Sequence, residues 1–192
     1  IPGRGLDKIN HAMAFGGINL MRATIEKLLG VPMHHYVYTN FAGFENIVDS
    51  IGGVNLNVER TITAGGVTLQ PGSQTLSGKE ALAYVRFRND SEGDFGRMRR
   101  QQNFLKAVAK ELMQSSSLTK LPKVSEQVSR YVRTDMPITQ LLSFGRRLTS
   151  LDLDEIAAIQ LKGTPINVSG VSYVNLDQEF LNETKNNFLR WQ

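Results

Sequence analysis

The sequence predicts an α/β domain with helices packed on a central sheet. Three observations carry that reading. Apolar residues at helical spacing alternate along the chain with short runs of period two. The 192 residues are 41% hydrophobic and 21% charged, the balance of a folded chain long enough for a real core. No internal repeat, low-complexity tract or linker breaks the alternation, so residues 1–192 read as a single domain.

The elements follow in order. Ile1–Lys8 is a Gly/Pro-rich loop. A helix follows Asn10, with apolar positions at Ile18, Met21, Ile25, Leu28 and Leu29, and Gly30 and Pro32 end it. His34–Thr39 alternates as a strand. Phe41–Ile51 is a helix stopped by Gly52-Gly53, and Val54–Val58 a half-buried strand. Thr61–Gly66 is a turn, Val67–Gln70 a short strand and Pro71-Gly72 another turn. Ser77 and Glu80 form a capping box for a helix over Gly78–Tyr84. A long helix spans Asp94 to about Gln114, before a polar break at Ser115–Ser117. Helices at Leu121–Tyr131 and Thr139–Leu148 precede a strand at Ile156–Leu161. A loop holding Gly163, Pro165 and Gly170 leads to a strand at Val171–Leu176, and Asp177 caps a closing helix through Arg190.

Composition excludes several chemistries. There are no cysteines, so disulfides, thiolate catalysis and Cys-based zinc sites are ruled out. No apolar run reaches the roughly 18–20 residues of a membrane-spanning helix. A net charge of +4 permits an anionic partner without demanding one. There is no G-x-S-x-G, H-E-x-x-H or P-loop, and adjacent His34 and His35 point to opposite faces of a strand. A start at Ile1-Pro2-Gly3 without methionine reads as the beginning of a fragment.

The stretch Tyr84–Gln102 stands apart. It holds Arg86, Arg88, Arg97, Arg99 and Arg100, five of the chain's thirteen arginines, interleaved with Asp90, Glu92 and Asp94. Arginine binds phosphate through a planar fork and keeps its charge. Arginines beside a carboxylate suit phosphoryl transfer, where positioning and charge neutralisation do most of the catalysis. On a helical wheel Asp94, Arg97 and Gln101 share the stripe of Phe104, Leu105, Val108 and Leu112, with Arg99 pointing away and Arg100 at the edge. Two readings are open from spacing alone: a site at the helix start, or an internal Asp94–Arg97 ion pair. If their segment is extended, Arg86 and Arg88 project from one face, either of a site or of a solvated strand.

Tyr84-Val-Arg-Phe-Arg88 and Gly93-Asp-Phe-Gly-Arg-Met-Arg-Arg-Gln-Gln102 resemble the signature of the LytR-CpsA-Psr family. So do Ile1-Pro-Gly-x-Gly-x-x-Lys8-Ile-Asn10, Asp49-x-Ile-Gly-Gly-Val54 and Leu76-x-Gly78-x-x-Ala81-Leu-Ala-Tyr84. The matches run in family order from residue 1 to about 113. The resemblance implies an α/β/α fold, a central mixed sheet with helices on both faces, here without its N-terminal strands. It also implies an enzyme at the outer face of the bacterial plasma membrane, anchored by an N-terminal helix absent from this chain. Such enzymes move a glycopolymer (teichoic acid, capsule or similar) from a polyprenyl-pyrophosphate carrier to peptidoglycan, with Mg²⁺. By the same resemblance, Arg86, Arg88, Arg97 and Gln101 bind the pyrophosphate, and Asp94 with Arg97 is catalytic. Phe104, Leu105, Val108 and Leu112 line the lipid pocket. The Mg²⁺ ligands are expected upstream of Ile1, so this chain alone is expected to bind a polyprenyl phosphate without completing transfer.

Two other function classes compete. Five arginines could grip DNA phosphates, as in a transcriptional attenuator. Against that, three acids share the stretch and no helix-turn-helix pattern is present, so no nucleic acid is expected as partner. The other competitor is a catalytically inactive polyprenyl-phosphate-binding fragment.

Overall fold

The computed structural model describes residues 1–113, 121–137, 140, 143 and 159–190. In chain order the elements are α1 (His11–Leu29), β1 (Val37–Thr39), α2 (Phe41–Ile51), β2 (Val54–Val58), β3 (Ile62–Ala64), β4 (Val67–Leu69) and β5 (Gly72–Leu76). Then come α3 (Gly78–Arg86), α4 (Gly93–Met113), α5 (Leu121–Tyr131), β6 (Val132–Thr134), β7 (Gly163–Val168), β8 (Val171–Leu176) and α6 (Gln178–Arg190). The α/β class is the one read from the sequence. Among the described residues the strands pair two by two, all antiparallel: β1–β6, β2–β5, β3–β4 and β7–β8.

The chain forms two compact units, residues 1–36 with 159–192, and residues 37–158. In the first, α1 bends at Gly16-Gly17 and ends at Gly30 in the left-handed conformation. Segment 163–168, expected as loop, is instead a strand of a hairpin. Ser169 (φ 52°) and Gly170 (φ 79°) make a tight turn of the primed kind, and Asn167 Oδ1 accepts the Gly170 N–H at 2.9 Å. Pro165 is tolerated there because a two-stranded ribbon has only edge strands. Leu181 and Thr184 of α6 and Ala12 and Thr24 of α1 are buried.

The second unit carries the arginine stretch. Val54, Leu56 and Val58 of β2 point into a core shared with Val48 and Ile51 of α2, Leu76 of β5, Ala81, Tyr84 and Val85 of α3, and Phe104 of α4. Asn55 and Asn57 face outward, as period two demands. Asn40 caps α2 by accepting the Gly43 N–H at 2.8 Å. At the start of α3 the Ser77 N–H and hydroxyl both donate to Glu80 Oε2, at 2.9 and 2.7 Å. Asp49 Oδ1 accepts the Gly78 N–H at 2.7 Å, placing a carboxylate on the positive end of the helix. Helices α2 and α3 cross closely at Gly78, where an added Cβ would overlap the Glu45 carbonyl.

Several boundaries differ from expectation. The strand expected over 34–39 is confined to Val37–Thr39, and Thr61–Gly66 contains β3 as well as the Gly65-Gly66 turn. Strands β5 and β6 pair with partners remote in sequence and carry no clear apolar alternation of their own. Residues 159–161 are not strand; 114–120 and 144–158 lie outside the described residues, with most of the helix expected over 139–148 and the rest of the strand expected over 156–161.

Candidate functional site

The stretch Tyr84–Gln102 folds as the last turn of α3, a connection over residues 87–92, and the first turns of α4. Arg86 therefore sits on a helix, not on an extended segment, and the premise of a shared strand face with Arg88 fails. Its guanidinium lies 4.5 Å from the centre of the Phe41 ring, a cation–π contact that holds the charge at the surface. Arg88 is exposed and, among the described residues, makes no hydrogen bond or ion pair.

On α4 the buried stripe is displaced by one residue from the expected one. Arg100 and Phe104 are buried, at 0% and 6% exposure, with Gly96 buried one turn before. Asp94 and Arg97 side chains are 54% and 32% exposed, 3.3 Å apart, and Gln101 is exposed. The expectation of a buried Asp94–Arg97 face is corrected: the charge that faces inward is Arg100. A wheel whose stripe includes Leu105 and Leu112, both exposed here, assigns it to an edge. It cannot foresee that carboxylates from elsewhere meet it inside.

Those carboxylates are Glu59 and Asp90. Arg100 Nη1 donates to Glu59 Oε1 and to Asp90 Oδ2, each at 2.9 Å, and Nη2 donates to the Phe87 carbonyl at 3.1 Å. Arg99 Nη2 lies 3.0 Å from Glu92 and 3.6 Å from Glu59, and Arg60 lies 3.7 Å from Asp90. Three arginines thus meet three carboxylates. Burial pushes the Asp90 carboxyl up, but the hydrogen bond and charge of Arg100, the Gly93 N–H and Arg60 outweigh it. Together they hold it below its ordinary 3.8. Arg86, Arg88 and Arg97 stand outside this network. Gln101 Nε2 donates to the Val85 carbonyl at 3.2 Å, which brings it beside Arg86.

The four apolar residues expected in a lipid pocket are not gathered. Phe104 is core, with its ring 5.0 Å from that of Phe44. Val108 is half-buried, while Leu105 and Leu112 are 66% and 39% exposed. Leu105 continues the outward stripe of Arg97 and Gln101. A small cleft of about 200 Å³ adjoins Arg86, lined also by Glu45, Lys79, Leu82 and Ala83. A larger polar groove of about 480 Å³, lined by Tyr38, Asn40, Arg130, Tyr131 and Arg133, contains none of the arginine stretch.

Metal was implied by the resemblance. Among the described residues no three His, Asp or Glu side chains converge. Asp90 and Asp94 are each paired with a guanidinium. These residues do not fit a divalent-cation site, and no step is derived through one.

The family model described as LytR_cpsA_psr matches residues 1–190. The chain belongs to the LytR_cpsA_psr family. Among its relatives, the regulatory protein MsrR of Staphylococcus aureus (strain COL) is 44% identical over 154 residues, covering 77% of this chain and 47% of that protein. Polyisoprenyl-teichoic acid–peptidoglycan teichoic acid transferase TagU of Enterococcus faecalis is 33% identical over 183 residues, covering 94% of this chain and 60% of TagU. The crystal structure of Bacillus subtilis TagV superimposes with a TM-score of 0.88 at 26% identity, covering 99% of this chain and 77% of TagV. The chain spans about half to three fifths of the length of these two curated relatives. Among the described residues no helix is long and apolar enough to cross a membrane.

Proposed function

We propose that this chain forms part of a phosphotransferase. It moves a teichoic-acid-type glycopolymer from a polyprenyl-pyrophosphate carrier to peptidoglycan, at the outer face of the plasma membrane. One observation carries the reading: the arginines divide into two sets. Arg99 and Arg100 are held by the Glu59, Asp90 and Glu92 carboxylates, whereas, among the described residues, Arg86 and Arg88 meet no carboxylate and Arg97 meets only Asp94, itself half exposed, with Gln101 alongside. Three cations and an amide on the α3 and α4 ends suit the two charges and many oxygens of a pyrophosphate diester.

In this reading an acceptor hydroxyl oxygen of peptidoglycan attacks the phosphorus nearer the polymer. A new P–O bond forms, the pyrophosphate P–O bond breaks, and polyprenyl phosphate leaves with the electron pair. Arg86, Arg88 and Arg97 neutralise charge as it moves to the leaving phosphate. Asp94, 3.3 Å from Arg97 and half exposed, takes the acceptor proton or orients Arg97. Exposed Leu105 and Leu112 give the polyprenyl tail an apolar surface below the arginines. Mg²⁺, where required, is held by groups other than these.

A second reading, a regulator whose arginines grip nucleic-acid phosphates, is compatible with the description of the MsrR relative as a regulatory protein. Both are tested by incubating the full-length protein with a lipid-linked teichoic acid precursor and peptidoglycan, and in parallel titrating DNA binding against salt. Covalent polymer on peptidoglycan supports the transferase. No product, together with tight DNA binding that falls steeply with salt, overturns it.

A further inference from the structure

Arg100 is the largest of the fully buried side chains among the described residues. A buried guanidinium is a poor way to gain stability: removing two charges from water costs as much as their attraction returns, and an apolar replacement is often as good. Arg100 is not even fully satisfied, since its Nε–H has no partner. What it does achieve is geometric. Its fork reaches the Phe87 carbonyl with one nitrogen and the Asp90 carboxylate with the other. It thereby grips the connection on both sides of Arg88.

Asp90 extends the grip. Its Oδ2 takes Arg100, while Oδ1 accepts the N–H groups of Glu92 at 3.1 Å and Gly93 at 2.9 Å. Asp90 therefore sets where α4 begins, one residue before Asp94 and four before Arg97. Glu59, partly exposed, ties the same guanidinium to the end of β2, one residue after the buried Val58. Gly96 is part of the fitting. A Cβ there would stand 3.0 Å from Arg100 Nη2 and 2.9 Å from the Glu92 Cβ, so a side chain would press on the guanidinium.

We propose that Arg100, with Asp90 and Glu59, is a positioning group for the phosphate-binding arginines, fixing the backbone that carries Arg88 and Arg97 so that both can meet one pyrophosphate, without touching it. This rests on the site reading above. Lysine cannot replace Arg100, because an ammonium group cannot make divergent contacts to a carbonyl and two carboxylates in one plane.

The test is a double-mutant cycle in the full-length protein, read as affinity for geranylgeranyl pyrophosphate, with folding followed by circular dichroism. Arg100→Lys is expected to weaken binding about tenfold or more in the wild-type background and less than twofold when Arg88→Ala and Arg97→Ala are already present. A purely structural role would lower the folded fraction alone and give the same affinity change in both backgrounds; either that equality or unchanged affinity of folded Arg100→Lys overturns the proposal. Should Arg100→Lys not fold, Gly96→Ala, which keeps every charge and crowds the guanidinium together with the Glu92 side chain, must show the same background dependence. If Arg88→Ala with Arg97→Ala itself leaves affinity unchanged, the site reading fails first and the proposal with it.

Discussion

Replacing Arg86 by alanine separates binding from folding. Its guanidinium makes one contact of note, over the Phe41 ring at 4.5 Å, and both residues are exposed. An exposed cation–π contact is worth about 0.5–1 kcal/mol. For a domain of this size that corresponds to a fall of about 1–4 °C in thermal midpoint. On the phosphate side, the loss is one charge-assisted hydrogen bond of about 1.5–3 kcal/mol, roughly a ten- to hundredfold drop in affinity. The assay pairs differential scanning fluorimetry with titration of a polyprenyl pyrophosphate against the full-length variant. A midpoint drop well beyond 4 °C, or affinity equal to wild type, would refute the assignment of Arg86 to the ligand and leave it a packing residue.

Three further outcomes follow from the packing. Phe104→Ala should cost about 3–5 kcal/mol and Leu105→Ala no more than about 0.5, measured by urea unfolding; a comparably large loss at both positions would restore the stripe read from the wheel. Asp49→Ala removes the carboxylate that receives the Gly78 N–H and should destabilise by about 0.5–2 kcal/mol, with no change in phosphate affinity. Asp90→Asn should be less stable than wild type at neutral pH, by a gap that closes in acid. The folded Asp90 carboxyl is held below its ordinary 3.8, so its contribution is complete above that value. It is lost as pH falls through the lower folded value. A gap that persists unchanged to about pH 2 in acid-denaturation curves would show that Asp90 contributes through shape, not charge.

Much of the fold was legible where local chemistry decides it. Helix α2 runs over the expected residues because Asn40 caps one end and Gly52-Gly53 closes the other. The capping box of α3 and the alternation of β2 are equally local. Of the four strands that escaped notice, β3 and β7 lie in hairpins whose glycines and proline read as loop, whereas β5 and β6 exist because of remote partners: Leu76 lies opposite Val54, and Thr134 opposite Val37. No window of a few residues contains that information. For the site, the arginine stretch announced itself by composition, but its division into guanidinium groups inside and outside the Glu59–Asp90–Glu92 network did not. One signal was available. Gly96, Arg100 and Phe104 recur at spacing four, so a small residue, an arginine and a ring share one face, a pattern suited to an inward guanidinium. Its carboxylate partner Glu59 lies 41 residues earlier, beyond the reach of periodicity.

The central claim is that Arg86, Arg88, Arg97 and Gln101 hold one pyrophosphate. A crystal structure of the full-length protein with geranylgeranyl pyrophosphate tests it most directly. The expected result is both phosphates within hydrogen-bonding distance of these four side chains, with Arg100 still on Asp90 and Glu59 and the tail running past Leu105. Phosphates seated instead in the groove of Arg130 and Arg133, with Arg86 and Arg97 left in water, would contradict it.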